Sequence, residues 1–254
     1  HLHLHFIDNL LYTLPSKVLP KLSTPGKHYT REQMAELNRY AAARGIKLVP
    51  EFECPGHAKA LNSAYPEIFA NTGDTNGEAY YSEEGALLSA ESLVCAGSEQ
   101  AFEGVTTLLR ELCELFADSE YIHLGGDEAA IEKWTTNEAC RAYAESCGID
   151  FDNPDKRYLA ERMLANFVQK MADAVMAKGK KVMAWEGFAP AVNEFVSKDI
   201  IIHSWENYYQ TTPQLLEGGF KIINSSWRPM YVVTPAAYWS QKEEYDWTIY
   251  RWTP

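Results

Sequence analysis

Tyr121-Ile122-His123-Leu124-Gly125-Gly126-Asp127-Glu128 is the stretch on which the reading of this 254-residue chain turns. Residues 121–124 read as a short apolar strand. Two glycines then let the backbone turn closely and leave room for a ligand. Two carboxylates follow where strand alternation has ended, so both can reach one pocket. The arrangement recurs outward in both directions. Asp8 follows the period-2 run 2–6, and Glu51 and Glu53 close the run 46–52. Trp185 and Glu186 close 181–185, Trp205 and Glu206 close 200–205, and 220–225 reads as a sixth strand.

Helical stretches separate these runs. Thr30 can cap a helix to about residue 44, with Met34, Leu37 and Ala41 on one face and Gly45 as its stop. Ser98 opens another, carrying Val105, Leu108, Leu112 and Leu115. Leu159, Met163, Phe167, Met171 and Val175 recur at i, i+4 in a long helix that Gly179 ends. Repeated strand–helix units predict an α/β fold with a parallel sheet, helices outside and barrel closure, in one domain over 1–254. In such a barrel the active site lies at the C-terminal ends of the strands, where these polar and aromatic residues collect. Residues 71–97, rich in Gly, Asn, Ser and Glu, read as a long surface loop.

Composition narrows the partners. A net charge of −12 argues against a nucleic-acid groove, which needs a basic stripe. A run of 18 apolar residues is absent, so no membrane-spanning helix is expected. Seven Trp and 15 Tyr suit stacking on sugar faces and equally suit ordinary cores. Cys54, Cys95, Cys113, Cys140 and Cys147 are odd in number and have no CxxC spacing. They read as reduced or buried thiols rather than as a complete disulfide set.

Each chemical motif has a plain alternative. Asp127 and Glu128 fit glycosidic cleavage, which needs a proton donor for the leaving oxygen and a group to meet developing positive charge. They also fit a helix start, where acids favour the dipole. His57, in Pro50-Glu51-Phe52-Glu53-Cys54-Pro55-Gly56-His57, can tune or orient an acid, or can be a loop histidine bonded to backbone. Trp185 and Trp205 are pocket walls or core. Trp239, Trp247 and Trp252 are read as core or surface packing. The alternation His1, His3, His5 admits a metal-dependent hydrolase completed by His57, His123 and His203. No HExxH or paired-cysteine spacing supports it.

Taken together, HLHLHFID (1–8), YTREQMAELNRYAAARGIKLVPEFECPGHAKA (29–60), YIHLGGDEAA (121–130), VMAWEG (182–187), HSWEN (203–207) and INSSWRPMYVV (223–233) resemble the family 20 glycoside hydrolases, the β-N-acetylhexosaminidases; the opening segment resembles dispersin-like members. The resemblance implies a (β/α)8 TIM barrel that removes terminal β-linked N-acetylglucosamine or N-acetylgalactosamine with retention, without a metal or other cofactor. The substrate's 2-acetamido oxygen acts as nucleophile and forms an oxazolinium ion, an exception to the two-carboxylate rule. By motif, Glu128 matches the general acid/base and Asp127 the residue that orients the acetamide nitrogen. Trp185 and Trp205 resemble walls of the acetamide pocket, and Tyr231 the tyrosine that hydrogen-bonds the acetamide oxygen. Asp8 bonded to His57 resembles a relay behind Glu128.

The same resemblance marks departures. The chain opens at what resembles the family's second strand and ends after the seventh. The first-strand arginine and the eighth-strand tryptophan floor are therefore not among its residues. The expectation is an incomplete barrel whose sheet edges favour homo-oligomers. Its activity is weighed against that of a weak or inert sugar-binding remnant.

Overall fold

In the computed structural model, residues 1–71, 79–81, 87–89, 92–232 and 239–252 are described. Six strands form one parallel sheet: β1 (Leu2–His5), β2 (Leu48–Glu51), β5 (Tyr121–His123), β6 (Lys181–Trp185), β7 (Ile201–Ser204) and β8 (Lys221–Asn224). They lie side by side in that order, each pairing only with its neighbours. A separate antiparallel hairpin joins β3 (Ala79–Tyr81) to β4 (Leu87–Ser89). The six strands are those expected from the sequence, trimmed at their ends where the ladder stops. β2 is buried along its whole length, whereas the flanking β1 and β8 are partly exposed. That is the signature of interior and edge strands, and it agrees with an open portion of a (β/α) barrel.

Helices fill the connections: α1 (Arg31–Ala42), α2 (Lys59–Ala64), α3 (Pro66–Phe69), α4 (Glu99–Leu115), α5 (Glu138–Ser146), α6 (Lys156–Met176), α7 (Thr212–Glu217), the short turn α8 (Trp227–Met230) and α9 (Gln241–Asp246). Thr30 caps α1 with a reciprocal capping box to Gln33, and Ser98 caps α4 through Ala101 N–H. The i, i+4 stripe of α6 is buried in full. It packs with Phe102 and Trp134, whose rings lie 4.5 Å and 5.9 Å from that of Phe167.

One expectation needs correction. The tail of the supposed surface loop 71–97 is core: Leu93, Val94, Cys95 and Ala96 are buried, and Val94 bridges to Ala70. Trp134, itself buried, anchors the segment, since its indole N–H donates to Val94 O at 3.0 Å. The rest of that loop, apart from Asn71, Ser92, Gly97 and the hairpin backbone, lies outside the described residues. Four of the five cysteines are buried, Cys147 is partly exposed, and all five are free thiols.

Candidate active site

The turn after β5 carries Asp127 and Glu128 because its glycines leave it nowhere else to go. Gly125 has φ +68, and a Cβ there would sit 2.2 Å from the Glu53 carboxylate. A Cβ on Gly187, after β6, would sit 2.0 Å from Gly126 O. Side chains at either point would push the acid-bearing turn out of place. Beyond the glycines, His57 and Glu128 are both held in the left-handed region at φ 47. Non-glycine residues adopt it at a cost, and such strain clusters at functional sites.

The strain brings the two residues together. His57 Nε2 lies 3.1 Å from Glu128 Oε2 and 3.9 Å from Asp127 Oδ2, and its Nδ1 lies 3.4 Å from Asp8 Oδ1. Burial alone would lower the His57 pKa, but hydrogen bonds to Asp8 and Glu128 outweigh it and raise it to about 10. Burial would raise the Asp8 pKa. Hydrogen bonds from His5, His57 and the Asn9 N–H instead hold its carboxyl well below the usual range.

Asp127 is mostly buried, and its Oδ1 has no partner among the described residues. Burial pushes its pKa up to about 6, opposed by His57 and by a hydrogen bond with Glu53. Glu53 is fully enclosed. Burial and then the charges of Asp127 and Glu51 push it far above the carboxylate range, although the Gly126 N–H donates to it at 3.0 Å. Glu53 is therefore the protonated member of the pair and Asp127 the one that ionises first.

Aromatic rings stand beside the acids. Trp185 and Trp205 meet edge to face at 6.2 Å, and Tyr231 stacks on Trp205 at 6.2 Å with planes 11° apart. Burial and the nearby Asp127 raise the Tyr231 pKa. The Trp185 indole N–H donates to Glu51 Oε1 at 2.8 Å, which fixes the ring. The structure thus brings Asp8, His57, Asp127 and Glu128 into one contiguous group, and Trp185, Trp205 and Tyr231 into an aromatic wall near Asp127. Trp239 packs edge to face on Trp227 at 5.6 Å.

Sequence reasoning placed Glu51 and Glu53 at a strand end and His5 in the metal reading without giving them a part in the acid group, and it passed over Tyr209. The signal for the two glutamates was present: spaced i, i+2, they leave β2 on one face. Tyr209 carried none, because it follows the irregular turn after β7. It accepts the Glu128 N–H, and burial and the Asp127 charge raise its pKa.

The histidines divide differently from the metal reading. His1 packs against Tyr121, and His57 belongs to the carboxylate group. His3, His123 and His203 do converge, with one ring nitrogen from each within 4.8 Å of the others. A cation there needs a lone pair from every ring. The Gly125 N–H donates to His123 Nδ1 at 3.0 Å, which leaves the neutral ring's proton on Nε2, so neither nitrogen offers a free lone pair. His3 Nε2 faces Glu51 Oε2 at 2.7 Å. The donor set fits a metal poorly.

A sterically confined acid pair, an imidazole touching it and an aromatic wall suit protonation of a leaving group next to a stabilised cation. The sequence profile of Glycosyl hydrolase family 20, catalytic domain, matches residues 1–253. A beta-hexosaminidase of Akkermansia muciniphila is 34% identical over 160 residues, which are 55% of this chain and 30% of that protein. The β-N-acetylhexosaminidase of Bacteroides fragilis superposes with a TM-score of 0.71 at 24% identity, covering 95% of this chain and 48% of that one. An exo β-N-acetylglucosaminidase of Vibrio harveyi, solved with N-acetylglucosamine, superposes with a TM-score of 0.68 at 24% identity, covering 87% and 35%. The chain spans less than half the length of each of these proteins, and it shares the fold of the two solved structures over most of its own length. By its sequence profile and by six parallel barrel strands in the order of the chain, it belongs to the catalytic domain of glycosyl hydrolase family 20.

Proposed function

We propose that this chain carries the machinery for hydrolysing terminal β-linked N-acetylhexosamine residues, with retention and with the substrate's acetamide as nucleophile. The observation that carries the reading is Asp127 Oδ1, a carboxylate oxygen buried without a partner among the described residues, beside Glu128 and the aromatic wall. A buried unpaired acceptor is costly, about 1–3 kcal/mol, unless a ligand completes it. An acetamide N–H is a donor of the right kind.

Glu128 then gives its proton to the glycosidic oxygen as the acetamide carbonyl oxygen attacks C1 and the C1–O bond breaks. Asp127 accepts the acetamide N–H and faces the oxazolinium charge. Glu128, now a carboxylate, takes a proton from water as that water attacks C1 and reopens the ring. Asp8 and His57 hold Glu128 through both steps, Trp185 and Trp205 enclose the acetamide methyl, and Tyr231 donates to its oxygen. The Vibrio harveyi complex supports a carbohydrate substrate ending in N-acetylglucosamine.

Incubation with a chromogenic aryl N-acetyl-β-glucosaminide tests this, beside Asp127→Asn and Glu128→Gln. Release lost in both variants is expected. Release untouched by either would overturn the mechanism. Tight binding of a thiazoline mimic without turnover would reduce the chain to a sugar-binding unit. The acid limb of kcat/KM should fall near pH 6, where Asp127 becomes protonated and can no longer face the cation.

Residues 1–254 are taken as one catalytic domain, with a carbohydrate and not a nucleic acid or a membrane as partner. No helix among the described residues is long and apolar enough to cross a membrane. The edges β1 and β8 support self-association, and a monodisperse monomer in sedimentation would count against it.

A further inference from the structure

The relay behind Glu128 does not stop at Asp8. His5 Nε2 lies 3.3 Å from Asp8 Oδ2, and His5 Nδ1 lies 3.2 Å from Glu51 Oε2. Glu51 is nearly inaccessible, and its other oxygen accepts the Trp185 indole N–H. Five side chains thus run in line, acid and imidazole alternating: Glu51, His5, Asp8, His57, Glu128. Resting on the hydrolase reading above, we infer that His5 and Glu51 are positioning residues that pin Asp8 and so hold His57 against Glu128.

Asp8 needs pinning. It is half-exposed, and a cavity of about 520 Å³ lined by Phe6, Asn9, Leu11 and His57 opens beside it. A lone carboxylate there has solvent and the Asn9 N–H as competing partners. One imidazolium bonded to both Glu51 and Asp8 takes away that freedom, because Glu51 is buried and tied to the Trp185 indole N–H. Burial would lower the His5 pKa, but hydrogen bonds to Asp8 and Glu51 outweigh it and raise it to about 10. The histidines around Glu51 hold that carboxyl well below its usual range against burial. The charges thus alternate as minus, plus, minus, plus up to Glu128. When Glu128 gives up its proton, the new carboxylate therefore meets an imidazolium whose own charge is already balanced. No proton needs to travel along the line. The other ionisable groups facing His5 are Glu53, within 4.8 Å, His3 on the same face of β1, and His123. None interrupts the line, since Glu53 is the protonated acid, His3 shares the Glu51 oxygen, and burial pushes the His123 pKa well below the usual imidazole range, which keeps that ring neutral.

Two measurements on the 254-residue chain test the inference. The first needs no turnover: nitrogen-15 NMR of the histidine rings at pH 8. Both nitrogens of His5 should carry protons, and Asp8→Asn should shift its titration down. A His5 that is neutral at pH 8 overturns the proposal. The second is kinetic. His5→Leu should slow cleavage of a poor leaving group, 4-methoxyphenyl, roughly tenfold, and that of 2,4-dinitrophenyl by less than about threefold, because only the former needs the acid. Added to Asp8→Asn, His5→Leu should cost nothing further, since both act on one group. Equal losses for both leaving groups, or additive losses, would make His5 merely structural. A parent chain that releases neither phenol fails the hydrolase reading, and the NMR result still decides whether the line is charged as stated.

Discussion

The turns after β5 and after β6 both place a glutamate at a strand end, and they use it in opposite ways. Glu186, after β6, is wholly enclosed and wholly satisfied. Ser204 donates its hydroxyl at 3.0 Å, the Tyr208 N–H donates at 3.1 Å, and the backbone of Glu206 and Asn207 adds further hydrogen bonds. Every partner comes from the protein, so the carboxyl staples the turn after β7 to the sheet. The turn after β5 keeps Asp127 Oδ1 buried and unpaired, and holds Glu128 in a strained conformation against His57. An acid at a barrel strand end is thus no sign of chemistry by itself. The sign is an acid the protein has desolvated without satisfying.

The sharpest way to break this contrast is to neutralise each acid in turn. Asp127→Asn should lower kcat/KM by about 10²–10³ and Glu128→Gln by about 10²–10⁴, while Glu186→Gln stays close to the parent in the same aryl-glycoside assay. A comparable loss at Glu186 would erase the distinction. Next in size, Gly125→Ala combines a left-handed backbone with a clash into Glu53 and should cost about 2–4 kcal/mol in denaturant unfolding. Glu186→Ala removes the buried acceptor shared by the Ser204 hydroxyl and the Tyr208 N–H, and should cost about 1–3 kcal/mol by the same measurement.

The last contrast is in pH dependence. Burial raises the Glu186 pKa from 4.5 to about 8, against the pull of Ser204 and the backbone amides. Between those values the folded chain holds a proton that the unfolded chain has released, so this group makes stability fall as pH rises through that window. Glu186→Gln should flatten the Tm profile from pH 5 to 8. An unchanged slope would mean that Glu186 ionises freely in the fold.

The strands and helices were legible because each local pattern agreed with the global one. Thr30, Ser98 and the α6 stripe behave as their periodicity and capping chemistry require. The misread stretch, 93–96, shows where that logic ends. Short apolar residues next to a polar loop are tied into the core by groups distant in sequence, the Trp134 indole N–H and the bridge to Ala70. The site was half legible. HLGGDE and PEFECPGH mark Asp127, Glu128 and His57, whereas the pairing of Glu53 with Asp127 and the place of Tyr209 were not legible because they depend on contacts between strand ends.

Residue order alone established the α/β alternation, the family, the acid pair and the aromatic residues around it, since these rest on local periodicity and on motifs of a few residues. Tertiary structure decided which acid is protonated, which histidines share a carboxylate and which glutamate is a staple. Those outcomes depend on burial and on distances of 3–4 Å between side chains far apart in the chain, as between Asp8 and His57 or Glu51 and Trp185. Desolvation and hydrogen bonding act through space, and no local pattern encodes them.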